Sequence, residues 1–290
     1  MTLQGHIDSY YAASSHGFEN HTALNESIQT DICIVGGGYT GLSTALHLAE
    51  KGYQVTLLEA EKVGWGASGR NGGHVGVGQR IEQDALEKMV GLEHAKKLWQ
   101  YGIEAADLVK DLIAKHEIDC DIKQGIIHLA SKHSHVDGME EDIEHLYRVY
   151  GYEDARYCDK AEVGRMIGSK GFHAGHLDNR SVTIHPLNYL LGLAKAAKAA
   201  GVTIYENSQV TSIDYKTPAV IHTDNGQVTA KTLVLACNGY LGKLNKKAAG
   251  KIMPINNFVI ATEPLPEQMA RELIRDDVGV QDSLFVINYW

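Results

Sequence analysis

The residues whose types and spacing can do chemistry cluster near the N-terminal end. Gly36, Gly38 and Gly41 follow the order G-x-G-x-x-G, with Tyr39 and Thr40 between the last two, and Glu59 stands eighteen residues after Gly41. The first glycine permits a tight turn, the second lets backbone approach a bound group, and the third lets a helix pack close to a strand. Such a turn needs a strand entering it and a helix leaving it. Ile32, Ile34 and Val35 read as that strand, the apolar run after Gly41 as that helix, and Gly52 as its stop. A second strand, Gln54 to Leu58, then ends on Glu59. A helix N-terminus offers unpaired N–H groups and the positive end of a dipole, so the turn favours an anion. An acid about 20 residues further on suits ribose hydroxyls. The unit reads as a β-α-β dinucleotide fingerprint, against the plainer reading of a glycine-rich structural turn.

Nicotinamide enzymes and flavoenzymes share this fingerprint, so the next stretch has to separate them. After Glu59 and Ala60 comes a second glycine cluster, Gly64-Trp65-Gly66-Ala67-Ser68-Gly69-Arg70-Asn71-Gly72-Gly73-His74. Its small residues let backbone run beside a large flat ligand, and Ser68 and Arg70 can hydrogen-bond to phosphate or flavin oxygens. The competing reading is a flexible surface loop.

With Glu59-Ala60 and Gly66 to Gly73 added to the first fingerprint, the chain resembles the FAD-dependent oxidoreductases of the D-amino-acid oxidase type, which include sarcosine and glycine oxidases. Within that type, the runs Ser9 to Ser14, Leu24 to Ile28, Gly37 to Ser43, Ile118 to Asp121, Ile184 to Asn188, Thr217 to Val220 and Gly226 to Lys231 point toward enzymes acting on gamma-glutamylputrescine. The resemblance runs from about residue 9 to the last residue. It implies an α/β fold, α+β overall, with a Rossmann-like FAD-binding domain interleaved with a smaller mixed-sheet substrate domain. Residues 1–30 would be a leader, 31–117 and 181–242 the FAD-binding domain, and 118–180 and 243–290 an incomplete substrate domain. It also implies FAD as cofactor, a small-molecule amine as substrate and molecular oxygen as oxidant. The reaction implied gives the aldehyde, ammonia and hydrogen peroxide. Sarcosine or glycine are the alternative substrates, and a nicotinamide-dependent dehydrogenase the alternative enzyme.

The resemblance assigns the cofactor to Gly36, Gly38, Tyr39, Thr40, Gly41, Glu59, Ala60, Ala67, Ser68, Gly69, Arg70, Asn71, Gly72 and Gly73. Val210 would offer backbone to the adenine, and Cys237, Asn238 and Gly239 would form a second strand-then-glycine motif. Arg70 contacts either FAD or a substrate carboxylate. His74 and Tyr289 are the candidates for a catalytic role, and no Ser-His-Asp or paired-carboxylate signature accompanies them. Family members continue beyond the point where this sequence stops, so a truncated FAD-binding fragment is a further expectation. An unpaired strand at Leu284 to Trp290 would favour self-association.

Composition narrows the class. The 290 residues allow one large domain or two, with 44% hydrophobic and 22% charged residues. Lys+Arg 27 against Asp+Glu 36 gives a net charge of −9, which argues against nucleic acid and an anionic membrane surface as partners. No basic-then-apolar leader and no run of roughly 20 apolar residues is present. Cys33, Cys120, Cys158 and Cys237 are widely spaced, which suits reduced thiols and a cytoplasmic location. His133 and His135 form the one close histidine pair, and no H-E-x-x-H motif points to a metal.

The remaining elements follow from periodicity. Helical spacing runs from Gln83 to His116, with Leu98, Tyr101, Ala105, Leu108 and Leu112 as the expected buried stripe. A strand is expected at Gly125 to Ala130 and a helix from about Val136 to Tyr150. Another helix follows Pro186, with Leu187, Leu190, Leu191, Ala194 and Ala197 inward. Asp224-Asn225-Gly226 signals a hairpin.

Overall fold

The computed structural model describes residues 5–290, so the first four residues of the leader lie outside the described part. The strands are β1 (Ser27–Val35), β2 (Val55–Leu58), β3 (His74–Val75), β4 (Lys123–Leu129), β5 (Ala155–Cys158), β6 (Gly175–Thr183), β7 (Thr203–Tyr205), β8 (Val210–Asp214), β9 (Ala219–Thr223), β10 (Gln227–Leu235) and β11 (Gly279–Asp282). The helices are α1 (Tyr10–Ser14), α2 (Tyr39–Glu50), α3 (Gln83–Val90), α4 (Leu92–Lys115), α5 (Met139–Tyr150), α6 (Lys160–Met166), α7 (Pro186–Ala199), α8 (Lys246–Ala249) and α9 (Glu267–Leu273). The fold is mixed α/β with parallel and antiparallel pairing in both sheets.

The chain divides into two compact units. Unit 1 takes the chain up to Asn71, Ile113–Cys120 and Pro186–Ile260; unit 2 takes Gly72–Leu112, Asp121–His185 and Ala261–Trp290. These limits differ from those drawn on the sequence: residues 72–112 and 181–185 join unit 2, and residues 118–120 and 243–260 join unit 1. Periodicity announces a helix but not the sheet against which it packs.

Unit 1 is built on a six-stranded sheet in the order β7-β2-β1-β10-β9-β8. Strands β7, β2, β1 and β10 run parallel, and β9 and β8 add an antiparallel meander. The parallel strands are buried apolar runs, as strands covered on both faces must be: Val55 to Leu58 are all buried. The first strand is longer than its apolar core suggests. It begins at Ser27, because Ser27 to Thr30 continue the register with Gln227 to Ala230. Helix α7 buries Leu187, Leu190, Leu191, Ala194 and Ala197 as expected, and Tyr189 and Leu193 besides. The Asp224–Gly226 turn joins β9 to β10, with the Thr223 N–H donating to the Gly226 carbonyl at 2.9 Å. In the leader, α1 is capped by Ser9, and Ala12 and Leu24 are the buried anchors, whereas Tyr10 is largely exposed.

Unit 2 carries the order β11-β4-β6-β3, with β5 also paired to β6. The helical stretch after Gln83 is two helices, broken at Gly91 (φ +78°). The seam of α4 keeps only Leu112 of the stripe read from the sequence as a buried residue; Leu98 is half-buried and Ala105 is exposed. Tyr101 and Leu108 are exposed, while Ala95, Trp99, Gly102 and Ala106 face inward. Both sets recur at three and four residues. The inward set wins because a Cβ on Gly102 would stand 2.9 Å from the Gly78 carbonyl oxygen, so only a small residue allows that approach, while the Trp99 ring packs on those of Tyr150 and Tyr152. At Leu284 to Trp290 the expected strand reduces to one bridge, Tyr289 to Gln281. Its partner precedes it: Val280 and Trp290 exchange N–H···O bonds of 2.8 and 2.9 Å. The Asp282 carboxylate accepts from the Asn288 backbone and side-chain amides, folding the segment back onto β11.

Candidate dinucleotide site

The chain leaves β1 at Gly36, where φ is +113° and a Cβ would stand 2.6 Å from the Ala236 carbonyl oxygen. At Gly41 a Cβ would meet the Gly36 carbonyl oxygen at 1.9 Å, so the start of α2 and the end of β1 lie against each other with room for hydrogen alone. Gly38 is the N-cap of α2, and a Cβ there would reach the Ser68 hydroxyl at 2.8 Å. The first turn of α2 carries no acidic side chain. Its Tyr39 N–H donates to Ser68 Oγ at 3.2 Å, and Thr40 is exposed. The Tyr39 ring packs on Tyr189, and burial pushes its hydroxyl up to about 12.

Glu59 stands at the end of β2 beside this turn. Its Oε2 accepts the Gly37 N–H at 2.6 Å and its Oε1 the Glu61 N–H at 3.0 Å. Burial raises its pKa, and the backbone donors of Glu61, Gly37 and Ala60 pull the other way. Each carboxylate oxygen has two acceptor sites, so capacity for ribose hydroxyls remains. Ala60 is exposed just beyond. Val210 heads β8 two residues after Ser208, whose N–H donates to the Glu59 carbonyl at 2.9 Å. The Val210 side chain belongs to an apolar cluster with Val35 and Leu58.

The second glycine cluster is no flexible loop. The Gly64 N–H donates to the Gly37 carbonyl at 3.1 Å, and a Cβ on Gly69 would stand 2.0 Å from the Gly64 carbonyl oxygen. Ala67, Ser68 and Gly69 make a short 3-10 turn, with Ala67 outward. Asn71 Nδ2 donates to the Ser68 carbonyl at 2.8 Å and to the Tyr39 hydroxyl at 3.2 Å. The Arg70 guanidinium lies 4.8 Å above the Trp65 ring and donates to the Tyr240 hydroxyl at 3.3 Å. Tyr240 sits in the turn after Cys237, Asn238 (φ +46°) and Gly239, and Cys237 Sγ lies 3.4 Å from the Val35 carbonyl. Burial pushes the Cys237 thiol up to about 11. Unit 1 thus brings together the fingerprint turn, Glu59, residues 60–71 and the Cys237–Gly239 turn.

Gly72, Gly73, His74 and Tyr289 fall in unit 2. Gly73 has φ +71°, and its Cβ would lie 2.0 Å from the Ile184 carbonyl oxygen; that of Gly72 would strike the Tyr289 ring at 2.2 Å. His74 faces Tyr289 with ring centroids 5.7 Å apart. Burial lowers the His74 pKa, while hydrogen bonds to the Trp290 backbone and the Gln281 side chain pull it up. The same Gln281 amide contacts His128, whose ring stacks on His176 at 4.4 Å. Neither His128, His176 nor Gln281 is visible from spacing, because β4, β6 and β11 assemble them from three distant segments. Trp65 and Tyr240 escape sequence reading for the same reason. No group of three or more metal-ligating side chains occurs among the described residues.

The glycine cradle, the helix N-terminus free of acid and the carboxylate beside it fit an adenine dinucleotide with its diphosphate on α2. The fold and this site define an α/β dinucleotide-binding protein. The chain belongs to the DAO family of FAD-dependent oxidoreductases, whose family model matches residues 31–289, and FAD is its cofactor. It is similar to the gamma-glutamylputrescine oxidoreductase of Escherichia coli K12, with 41% identity over 286 residues covering 98% of this chain and 67% of that protein. The fold is similar to that of glycine oxidase from Geobacillus kaustophilus, with a TM-score of 0.59 and 22% identity over 76% of this chain and 58% of that one. L-amino acid deaminase from Proteus myxofaciens, in complex with anthranilate, matches with a TM-score of 0.59 and 25% identity over 77% of this chain and 48% of that one. The chain therefore spans between 48% and 67% of the lengths of these three proteins. Among the described residues no helix is long and apolar enough to cross a membrane.

Proposed function

We propose that this chain belongs to an amine oxidoreductase that converts gamma-glutamylputrescine to its aldehyde, with release of ammonia, in the breakdown of putrescine. The observation that carries this reading is the 41% identity to gamma-glutamylputrescine oxidoreductase, which extends over 98% of the chain. FAD, once bound, would supply the acceptor for hydride from the carbon next to the amine, with dioxygen as the oxidant that restores it and gives hydrogen peroxide. Water hydrolyses the resulting imine to aldehyde and ammonia.

The residues of unit 1 bind and orient. The N-terminus of α2 would receive the diphosphate, with Gly36, Gly38 and Gly41 giving it room, Thr40 supplying a first-turn N–H group and Tyr39 held in place by its own N–H bond to Ser68 Oγ. Glu59 would accept hydrogen bonds from the ribose hydroxyls, and the backbone at Ala60 and Val210 would border the adenine. Ala67, Ser68, Gly69, Arg70 and Asn71 would run beside the cofactor, with Arg70 fixed on Trp65 so that its remaining N–H groups stay directed. Cys237, Asn238 and Gly239 close the diphosphate side. In unit 2, His74 and Tyr289 are the amine-facing candidates. Burial favours a neutral His74, which suits a site that takes an uncharged amine and needs no strong base.

The test is the visible absorption spectrum of the purified chain before and after anaerobic addition of gamma-glutamylputrescine. A flavin spectrum that bleaches supports the reading. One that ignores gamma-glutamylputrescine but bleaches with sarcosine or glycine replaces the substrate. A protein that takes up no added FAD overturns it.

A further inference from the structure

One buried ion pair in unit 1 is unused by the reading above. Glu206, just past β7, has a side chain with no solvent exposure, and Lys62, in the crossing after Glu59, is nearly as buried; their charged ends lie 2.9 Å apart. Replacing such a pair with apolar side chains generally costs nothing or stabilises, so stability alone is a poor reason for it. Its geometry offers a better one. Glu206 Oε1 accepts the Val63 N–H at 2.8 Å, and Oε2 accepts Lys62 Nζ and the His21 N–H at 3.3 Å. One carboxylate therefore ties the leader to the crossing that leads from Glu59 to Gly64.

The next two residues extend the grip. The Asn207 N–H donates to the Glu61 carbonyl and the Ser208 N–H to the Glu59 carbonyl, each at 2.9 Å. The leader supplies the other side. Lys62 Nζ reaches Asn20 Oδ1 at 3.3 Å and lies 5.7 Å from the Phe18 ring centroid, and the Leu24 N–H donates to Ser208 Oγ at 2.9 Å. Directional bonds from three segments fix the angle of a loop in a way that apolar contact does not.

We infer that Lys62 and Glu206, held by leader residues 18–24, are positioning residues for the adenosine end of the cofactor, acting through the backbone of residues 59–63 to aim Glu59. The inference rests on the FAD reading of the glycine turn. It makes the leader part of the cofactor site without touching the cofactor.

The experiment compares the full chain with Lys62→Arg, Glu206→Gln and the double variant Lys62→Met, Glu206→Met. Affinities for FAD (flavin fluorescence quenching) and for ADP as a probe of the adenosine half are measured below every variant's melting temperature. Glu206→Gln and the double variant are expected to weaken both ligands about tenfold or more, the scale of one lost charge-assisted hydrogen bond. Lys62→Arg keeps the pair and is expected to stay within about threefold of the parent chain. The deciding result is the double variant, whose apolar pair restores the melting temperature but leaves ADP binding weak. If affinity recovers together with stability, or if Glu206→Gln binds both ligands like the parent, the positioning role is wrong. A parent chain that takes up no FAD overturns the FAD reading itself, and this inference with it.

Discussion

The two units assemble their polar groups in different ways. Unit 1 places carboxylates at the ends of parallel strands, where Glu59 meets backbone N–H groups and Glu206 meets an ammonium. Unit 2 has buried carboxylates of its own at Asp178 and Asp282, and adds half-buried imidazoles on neighbouring strands, with His128 stacked on His176 and His74 beside Tyr289. Donors from a helix N-terminus and a glycine turn are fixed by the backbone, so the first arrangement needs only a short stretch of chain. The second depends on side chains that meet after β4, β6 and β11 have paired. A turn of the first kind can therefore be written locally, whereas a cluster of the second kind is assembled from distant pieces.

The sharpest way to break this contrast lies in the cores. Trp99→Ala is expected to cost about 3–5 kcal/mol in urea unfolding, because a nearly buried ring packed on Tyr150 and Tyr152 leaves a cavity. A cost near that of a surface substitution would mean that α4 is not the seam of unit 2. Next comes Gly41→Ala, for which overpacking against the Gly36 carbonyl predicts a loss of about 1–3 kcal/mol together with FAD retention. Gly72→Ala is expected to cost less, because the ring of Tyr289 can turn aside where a carbonyl cannot. Equal losses at both sites would remove the distinction between backbone-fixed and side-chain-fixed regions.

Acid separates the units more gently. Burial holds the pKa values of His128, His176 and His74 below the ordinary 6.5, with the Asp178 charge opposing this at His176. The unfolded chain takes up protons below pH 6.5 that the folded chain refuses. Stability is thus complete above pH 6.5 and falls as the pH drops below it, by up to ~1.4 kcal/mol per pH unit for each such histidine. His6 and His21 in unit 1 are lowered in the same direction, against the raising effect of Glu206. A His128→Asn, His176→Asn variant should flatten the profile of melting temperature between pH 7.5 and 5.5; an unchanged slope would move the sensitivity to unit 1. The smallest expected effect is that of Tyr101→Ser, within about 0.5 kcal/mol, because that ring faces solvent. A larger loss would return the seam to the stripe that periodicity suggested.

Those tests also mark what was legible in the sequence. The fingerprint, Glu59, the hairpin at Asp224–Gly226 and helix α7 could be read directly, since each depends on residues within a few turns of one another. The seam of α4 could not, because two stripes with the same spacing compete and the winner is chosen by Gly102 and Gly78, far apart in sequence. The 284–290 segment has strand composition, yet Asp282 bends it back into a single bridge. Glu206 and Lys62 carry no motif at all: their pairing exists only once β7 lies beside β2.

The sheet of unit 1 also sets a timetable. Strand β1 is flanked by β2 on one side and β10 on the other, and Ser27 aligns with Gln227. A ribosome adding about 5–20 residues per second leaves that flank of β1 open for roughly 10–40 s while β3 to β9 emerge. For that interval the nascent chain shows an apolar strand edge next to a glycine turn that still lacks Ala236, against which Gly36 packs. A chaperone on the open edge would shield it until the strand that closes it arrives.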